Sequence, residues 1–154
     1  MKSLKETLTG RARPEQLVQT SLKNIARKAK REKKHRFRDL YRQINYGALK
    51  LAWLEINKKA AAGVDNITAV EFEKNLEENL QNILKSLKEK RYHAKLVRRI
   101  YIDKGNGKKR PLGIPALKDK IVQRAVADIL EVIFEQDFIE ESYGYSLKKV
   151  LKRQ

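Results

Sequence analysis

A dense group of basic side chains in residues 95–115, KLVRRIYIDKGNGKKRPLGIP, is the part of this sequence best suited to chemistry. Arginine offers paired N–H donors that match phosphate oxygens, and lysine supplies a mobile positive charge. The only acid in the segment is Asp103. The pattern predicts a surface that binds a polyanion through its phosphates, and the alternative is a basic turn that only faces solvent. The basic residues are Lys95, Arg98, Arg99, Lys104, Lys108, Lys109 and Arg110.

Two short strands joined by a tight turn are predicted to position these charges. The turn contains Gly105-Asn106-Gly107, and glycine readily adopts the positive φ that a tight hairpin needs. Apolar residues typical of strands flank the turn on both sides. We therefore predict an antiparallel hairpin at about residues 96–114, with apolar positions at Val97, Ile100, Ile102, Leu112 and Ile114.

The charge of the whole chain also favours an anionic partner. The formal net charge is +17 and the pI is about 10.1, which is typical of proteins that bind nucleic acid or an anionic membrane surface. Residues 1–62 carry 17 basic and 5 acidic residues, and residues 95–124 carry 10 and 2. The remaining segments are nearly neutral, so two separate phosphate-contact zones are predicted.

Several classes of protein are disfavoured by composition. The chain has no Cys and only two His, in unrelated contexts, so a zinc site is not expected. No apolar run approaches the length of a membrane span, and the N-terminus lacks the apolar core of a signal peptide. We therefore expect a cytoplasmic protein without membrane contact.

Helical periodicity dominates the rest of the chain and predicts a mainly helical α+β fold. A first helix is expected to begin at Pro14 and to bury Leu17, Leu22, Ile25, Ala26 and Ala29. A second helix is predicted from residue 37 to 56, with a stop at Gly63, and a third from a Thr68–Glu71 capping box to about Lys90. A fourth is predicted from residue 116 to 136. Its core side is expected to carry Ile121, Val122, Ala125, Val126, Ile129, Leu130, Ile133 and Phe134. A loop of large apolar residues is expected at Phe138-Ile139 and Tyr143-Gly144-Tyr145.

The acidic residues do not suggest a catalytic centre. Nucleotidyl transfer by two metal ions needs carboxylates that converge on Mg²⁺, whereas Asp65, Asp103 and Asp119 lie in three different local contexts. Neither a phosphate-binding Walker loop nor a serine or histidine dyad is visible. We assign no catalytic residue and no metal ligand.

Four ordered blocks carry a family resemblance. They cover roughly residues 36–145 and read FRDLYRQIN, LAWLEINKKAAAGVDNIT, LKEKRYHAKLVRRIYIDKGNGKKRPLGIPALKDKIVQ and ILEVIFEQDFIEESYGY. With them the chain resembles the N-terminal part of bacterial group II intron-encoded reverse transcriptases, also called maturases. The resemblance implies three parts: a basic N-terminal arm at 1–35, the fingers and the start of the palm at 36–145, and a divergent basic tail at 146–154.

The resemblance also implies roles for individual residues. Arg98, Lys104 and Arg110 match the basic residues that hold the incoming nucleoside triphosphate. The remaining basic positions and the segment beneath the templating base are expected to contact template or intron RNA. These positions are Arg99, Lys108, Lys109, Leu112, Gly113, Ile114 and Pro115, together with Lys28, Arg31 and Lys34 of the arm and Arg36 directly after it.

The sequence departs from the family at several points. Asp103 stands where the family usually has Pro, Asn66 stands where it usually has Gly, and the basic block after Tyr145 differs. The palm aspartates that bind Mg²⁺ in full-length members have no counterpart among the matching blocks. The expectation is therefore a truncated fragment without a cofactor of its own and without primer extension, for which the missing palm and thumb are a candidate partner.

Two functions remain open at this stage. The first is a reverse-transcriptase fingers fragment that binds intron RNA, template–primer and nucleotide. The second is a free-standing basic RNA-binding protein that uses the same fold.

Overall fold

The computed structural model of this chain describes residues 13–105 and 107–138. They form a mainly helical α+β structure with one two-stranded antiparallel sheet, which confirms the predicted fold class at that level. The predicted apolar loop beyond Phe138 and the tail at 146–154 lie outside the described residues. The elements are α1 (Pro14–Arg31), a 3-10 helix (Leu40–Gln43), α2 (Tyr46–Glu55), α3 (Ala69–Lys74), α4 (Leu76–Lys88), β1 (Arg98–Asp103), β2 (Lys109–Ile114) and α5 (Leu117–Phe134).

The described residues divide into two units. The first unit contains residues 13–43 and 128–138, and the second contains residues 44–105 and 107–127. In the first unit the Lys33 ammonium donates to the Gln136 carbonyl and lies 3.3 Å from the Asp137 carboxylate. No helix in the described part of the chain is long and apolar enough to cross a membrane.

The core of the second unit is built around two aromatic rings. Trp53 of α2 and Phe72 of α3 are buried, with ring centroids 5.3 Å apart. Because Trp53 is 1% exposed, its ring belongs to the core and is not open to stacking on bases. The helices complete this core with a cluster of fully buried aliphatic side chains, Leu49, Leu80 and Ile121.

The first helix confirms the predicted start at Pro14 but corrects its buried face. Leu17 is 60% exposed, whereas Val18 is 6% exposed. Val18, Leu22, Ile25 and Ala29 are spaced by four, three and four residues, so they form one stripe, and Leu17 lies about 100° to its side. The prediction that Leu17 is buried was therefore wrong, and the neighbouring Val18 takes that place in the stripe.

The predicted helix from 37 to 56 is interrupted in the structure. Its first part is only the 3-10 helix, and the Asn45 side chain then accepts a hydrogen bond of 3.0 Å from the Ala48 N–H. An Asn in this position caps a new helix because it satisfies an N–H that lacks an intrahelical partner. The predicted helix is therefore broken at Asn45.

The predicted helix from Thr68 to about Lys90 also divides in two. The capping box is confirmed: the Thr68 hydroxyl accepts from the Glu71 N–H at 3.3 Å, and the Glu71 carboxylate accepts from the Thr68 N–H at 2.9 Å. These bonds from Thr68 hold the pKa of Glu71 below its usual value. The helix is interrupted at Asn75, which lies between α3 and α4. The Asn79 side-chain amide of α4 donates to the Phe72 carbonyl of α3 at 3.0 Å.

Helix α5 follows the predicted 116–136 segment with a narrower buried face. Ile121, Ala125 and Ile129 are buried at four-residue spacing, as predicted. Leu130 and Phe134 are 40% and 53% exposed, which corrects their assignment to the core side. They lie one position beyond the buried row and therefore at the edge of the stripe.

Gly63 does not end a helix, contrary to the prediction. Helix α2 ends at Glu55, because Ile56 is already extended, with φ −67° and ψ 147°. A Cβ on Gly63 would lie 2.6 Å from the Cα of Ala116 and 2.7 Å from the Pro115 carbonyl oxygen. Glycine is needed here because two backbone segments pass too closely for any side chain.

We expect Gly63→Ala to lower the free energy of unfolding by about 1–3 kcal/mol, because the added methyl group forces the backbone segments apart. Urea denaturation followed by circular dichroism measures this change. The control is Ala60→Ser in the same loop, which is exposed and is expected to stay within about 0.5 kcal/mol of the parent chain. Equal stability of the two variants would contradict the close packing.

Candidate nucleic-acid interface

The predicted hairpin is present, and its register defines two faces. Ile100 pairs with Leu112, and Tyr101 pairs with Pro111. Because side chains alternate along a strand and cross-strand partners share a face, each face holds alternate residues of both strands. The first face carries Arg98, Ile100, Ile102, Arg110, Leu112 and Ile114, and the second carries Arg99, Tyr101, Asp103, Lys109, Pro111 and Gly113.

The turn has the chemistry predicted for it. Gly105 and Gly107 have φ of 73° and 68°, a region where glycine has no steric penalty. The Lys104 N–H donates to the Lys108 carbonyl at 2.8 Å, which closes the hairpin beyond the last strand pair. Two lysines therefore flank the tip of the hairpin.

The three residues predicted to hold the triphosphate lie along the first face and at the tip. Arg98 begins β1, Arg110 lies opposite Ile102, and Lys104 follows β1 directly. At about 3.3 Å per residue, the four positions from 98 to 102 separate the two arginines by roughly 13 Å. The structure thus spreads the three cations along the hairpin, where all are exposed and none has an ion-pair partner among the described residues.

The segment predicted to lie beneath the templating base is less accessible than its charged neighbours. Ile114 is 8% exposed, and a Cβ on Gly113 would lie 2.9 Å from Val97 Cγ2. Leu112 is 42% exposed and Pro115 is half-buried. Leu112 is therefore the most open apolar side chain that this segment presents.

The basic residues predicted to bind RNA fall into two groups. Arg99 and Lys109 are exposed on the second face of the hairpin, and Lys108 lies at the tip. The other group, Lys28, Arg31, Lys34 and Arg36, is exposed in the first unit. Within that group, Arg31 forms an ion pair of 2.7 Å with Glu32, so part of its charge is compensated.

A buried carboxylate that sequence reasoning did not single out holds the base of the hairpin. Asp119, in the first turn of α5, is only 4% exposed. One of its oxygens accepts from the Tyr92 hydroxyl, and the other accepts from the Lys95 N–H at 3.0 Å. Burial, followed by the bond to Asp119, raises the pKa of Tyr92, so the hydroxyl remains a donor. Asp119 therefore ties the chain that leads into β1 to the helix that follows β2.

A second acidic residue supports the same connection. The Lys95 ammonium lies 3.2 Å from the Asp65 carboxylate, whose side chain is 6% exposed. Asp65 also accepts from the Ile67 N–H at 3.4 Å, and the Lys120 ammonium donates to the Ala61 carbonyl at 2.6 Å. Tyr92 and Lys95 lie 27 and 24 residues from Asp119, and Lys95 lies 30 residues from Asp65, so local spacing carried no signal for these contacts.

The described residues provide no magnesium site. In residues 13–105 and 107–138, no three His, Cys, Asp or Glu side chains lie close enough together to hold a metal ion. Asp119 uses both oxygens for hydrogen bonds to Tyr92 and Lys95, and Asp65 is paired with Lys95. What this surface offers to a ligand is the set of exposed cations on the hairpin.

The sequence of this chain is similar to that of group II intron-encoded proteins. The chain is 50% identical to group II intron-encoded protein LtrA of Lactococcus lactis over 70 residues, which are 45% of this chain and 12% of LtrA. The matched segment of this chain is homologous to this group II intron-encoded protein. The resemblance stated from the sequence blocks is thereby confirmed.

Two further relatives match a similar share of the chain. Protein YkfC of Escherichia coli K12 is 46% identical over 83 residues, which are 54% of this chain and 22% of YkfC. An uncharacterized 91 kDa protein in the cob intron of Schizosaccharomyces pombe is 41% identical over 66 residues, or 43% of this chain and 8% of that protein. The chain thus spans less than a quarter of the curated relatives it matches, and no family model matches it.

Proposed function

We propose that this chain is the fingers part, with the start of the palm, of a group II intron-encoded reverse transcriptase, and that it binds intron RNA, the template–primer and the incoming triphosphate. The observation that carries the proposal is the anchored hairpin with uncompensated cations. Arg98, Lys104 and Arg110 are exposed without ion-pair partners in the described part of the chain, on a hairpin whose base is fixed by Asp119. Homology to group II intron-encoded proteins supports the choice of enzyme family.

The hairpin contributes position and charge to the reaction. Bidentate arginine donors and a lysine ammonium neutralise phosphate charge. Because the scaffold is fixed, the bound group is aligned without a further loss of conformational entropy when it reacts. Arg98 and Arg110 are held on one face by strand register, and Lys104 is held at the tip by the bond of its N–H to Lys108. These residues orient a triphosphate and compensate its charge.

We assign the nucleotidyl-transfer step to a different domain. Two-metal nucleotidyl transfer uses carboxylate-bound Mg²⁺ to stabilise the attacking and leaving oxygens. The described residues do not fit such a site, so we derive no step through the metal. The proposed partner for this step is a palm domain that supplies the aspartates, together with the thumb.

A free-standing RNA-binding protein is the second candidate. It is favoured by the exposed basic residues Lys28, Lys34 and Arg36 of the first unit, which lie outside the hairpin and carry no ion pair with a described residue. Such a protein needs RNA contacts but has no use for a triphosphate. Binding of a nucleoside triphosphate to the hairpin therefore separates the two functions.

The isolated chain is expected to bind structured RNA with an affinity that falls steeply as salt increases. Each phosphate contact releases condensed counterions, so contacts with six phosphates give a slope of log K against log salt of roughly −4 to −5. Fluorescence anisotropy with a labelled group II intron RNA between low and physiological salt measures this slope. An affinity that does not change with salt would contradict the electrostatic basis of the proposal.

A further inference from the structure

Tyr101 is exposed in the middle of β1, and its ring makes no aromatic or cation–π contact with a described residue. It lies on the second face of the hairpin and is 64% exposed. Its cross-strand neighbour is Pro111, and its hydroxyl has no hydrogen-bond partner among the described residues. An aromatic ring in a sheet normally contributes through burial and cross-strand packing. The ring of Tyr101 is instead available from the solvent side.

The apolar surface around Tyr101 extends along this face. Pro111 is exposed next to it, and Val97, which is 51% exposed, covers Gly113 with Cγ2 2.9 Å from the position of a Cβ. The lack of a side chain at Gly113 lets Val97 lie flat over β2. Val97, Pro111 and the ring of Tyr101 therefore form an exposed apolar surface on this face.

Two cations border the ring on this same face. Arg99 lies two residues before Tyr101 on β1, and Lys109 is its diagonal neighbour on β2. Both are exposed, and neither forms an ion pair with a described residue. The one acid of the face, Asp103, lies opposite Lys109 without forming an ion pair, so the face keeps a net positive charge.

An exposed aromatic ring between uncompensated cations has the composition that proteins use to hold single-stranded nucleic acid. Bases stack on the ring, and the cations follow the phosphate backbone. We propose that the second face of the hairpin, centred on Tyr101 and bordered by Arg99 and Lys109, binds a single strand of nucleic acid by stacking an unpaired base. This inference rests on the proposed function and adds a second binding face, opposite the one that carries Arg98 and Arg110.

Charge favours nucleic acid over a protein as the occupant of this face. A protein partner that covered Tyr101 would bury Arg99 and Lys109, and buried cations need matched carboxylates on the partner. A phosphate backbone supplies negative charge at regular spacing and leaves the cations partly hydrated.

The test measures binding of an unstructured, fluorescein-labelled RNA of about 12 nucleotides, a length that fits known single-strand sites. Tyr101→Ala is expected to weaken binding by about 5- to 150-fold, which corresponds to the loss of one stacked base. Tyr101→Phe keeps the ring and is expected to bind nearly as well as the parent chain. Tyr101→Leu keeps apolar area without a π face and is expected to behave like Tyr101→Ala.

A salt titration separates stacking from charge. Removing both cations with Arg99→Ala and Lys109→Ala is expected to reduce the slope of log K against log salt by about 1.4, or 0.7 for each contact with a single strand. Tyr101→Ala lowers affinity and leaves the slope unchanged. Val70→Ala, an exposed apolar residue of α3 that is 71% exposed, is the control and is expected to bind like the parent chain.

The outcomes distinguish this inference from the proposed function. Binding by Tyr101→Ala equal to that of the parent chain overturns the stacking face alone, and it then points to a protein partner. Tyr101→Phe as weak as Tyr101→Ala also overturns it, since the hydroxyl and not the ring would carry the contact. Failure of the parent chain to bind RNA overturns both proposals. Triphosphate binding by Tyr101→Ala is expected to match the parent chain, because the first face is intact.

Discussion

Replacement of Asp119 by Ala is expected to lower the free energy of unfolding by about 3 kcal/mol. The carboxylate is buried and accepts from the Tyr92 hydroxyl and the Lys95 N–H. Its removal leaves both donors without this partner at a partly buried position. Urea denaturation followed by far-ultraviolet circular dichroism measures the change.

Two further substitutions define the source of that loss. Tyr92→Phe removes one donor and leaves the Lys95 bond intact, so its effect is expected to be about 1 kcal/mol. Asp103→Ala removes an exposed acid of the hairpin that has no partner among the described residues, and it should stay within about 0.5 kcal/mol of the parent chain. If Asp119→Ala is as stable as Asp103→Ala, the anchor at the base of the hairpin is contradicted.

Simultaneous replacement of Arg98, Lys104 and Arg110 by Ala is expected to weaken binding of a nucleoside triphosphate by about 100-fold. Three charge-assisted contacts at roughly 1 kcal/mol each account for this loss. The fold is expected to persist, since all three side chains are exposed and bear no ion pair in the described part of the chain. Equilibrium dialysis with a labelled deoxynucleoside triphosphate measures the affinity.

The matched control removes three positive charges from a different surface. Lys74, Lys85 and Lys88 are exposed on α3 and α4, in the same unit as the hairpin. Their replacement by Ala changes the net charge by the same amount and is expected to leave triphosphate affinity within about two-fold of the parent chain, because these lysines lie on helices and not on the hairpin, and salt screens exposed charges that do not contact the ligand. Equal loss in the two triple variants would indicate a response to net charge and not a site on the hairpin.

The hairpin could be predicted because its determinants are local. Alternating apolar residues, two glycines at the turn and the dense basic residues all lie within residues 95–115. The positive φ of Gly105 and Gly107 follows from turn geometry, which needs no information from the rest of the chain. The capping box of Thr68 and Glu71 could be predicted for the same reason.

The helix breaks were missed because apolar periodicity continues across them. Asn45 and Asn75 both stand within periodic segments, and nothing in the spacing of Leu and Ile marks either residue as a boundary. An Asn side chain competes with the helix by bonding to the nearby backbone. At Asn45 that competition ends in a cap on the Ala48 N–H. An Asn in a periodic segment does not mark a break by itself, since Asn24 lies inside α1 and Asn79 and Asn82 lie inside α4.

The anchor of the hairpin could not be predicted because its contacts join distant parts of the sequence. Asp119 has the appearance of an acid in the first turn of a helix, which is common and stabilising by itself. Its burial depends on Tyr92 and Lys95, which precede the hairpin. Gly63 was misassigned for the same reason, since the backbone it approaches is that of Pro115 and Ala116. The roles of Asp119 and Gly63 therefore depend on packing between distant segments and not on local spacing.

The most direct test of the account is to locate a bound nucleotide on the chain. A photoreactive deoxynucleoside triphosphate is crosslinked to the parent chain and to the variant that lacks Arg98, Lys104 and Arg110, and the modified peptides are identified by mass spectrometry. We expect crosslinks in residues 98–114 of the parent chain and their loss in the variant. Crosslinks confined to the basic residues of α1, and unchanged in the variant, would contradict the assignment of the hairpin as the triphosphate-binding element.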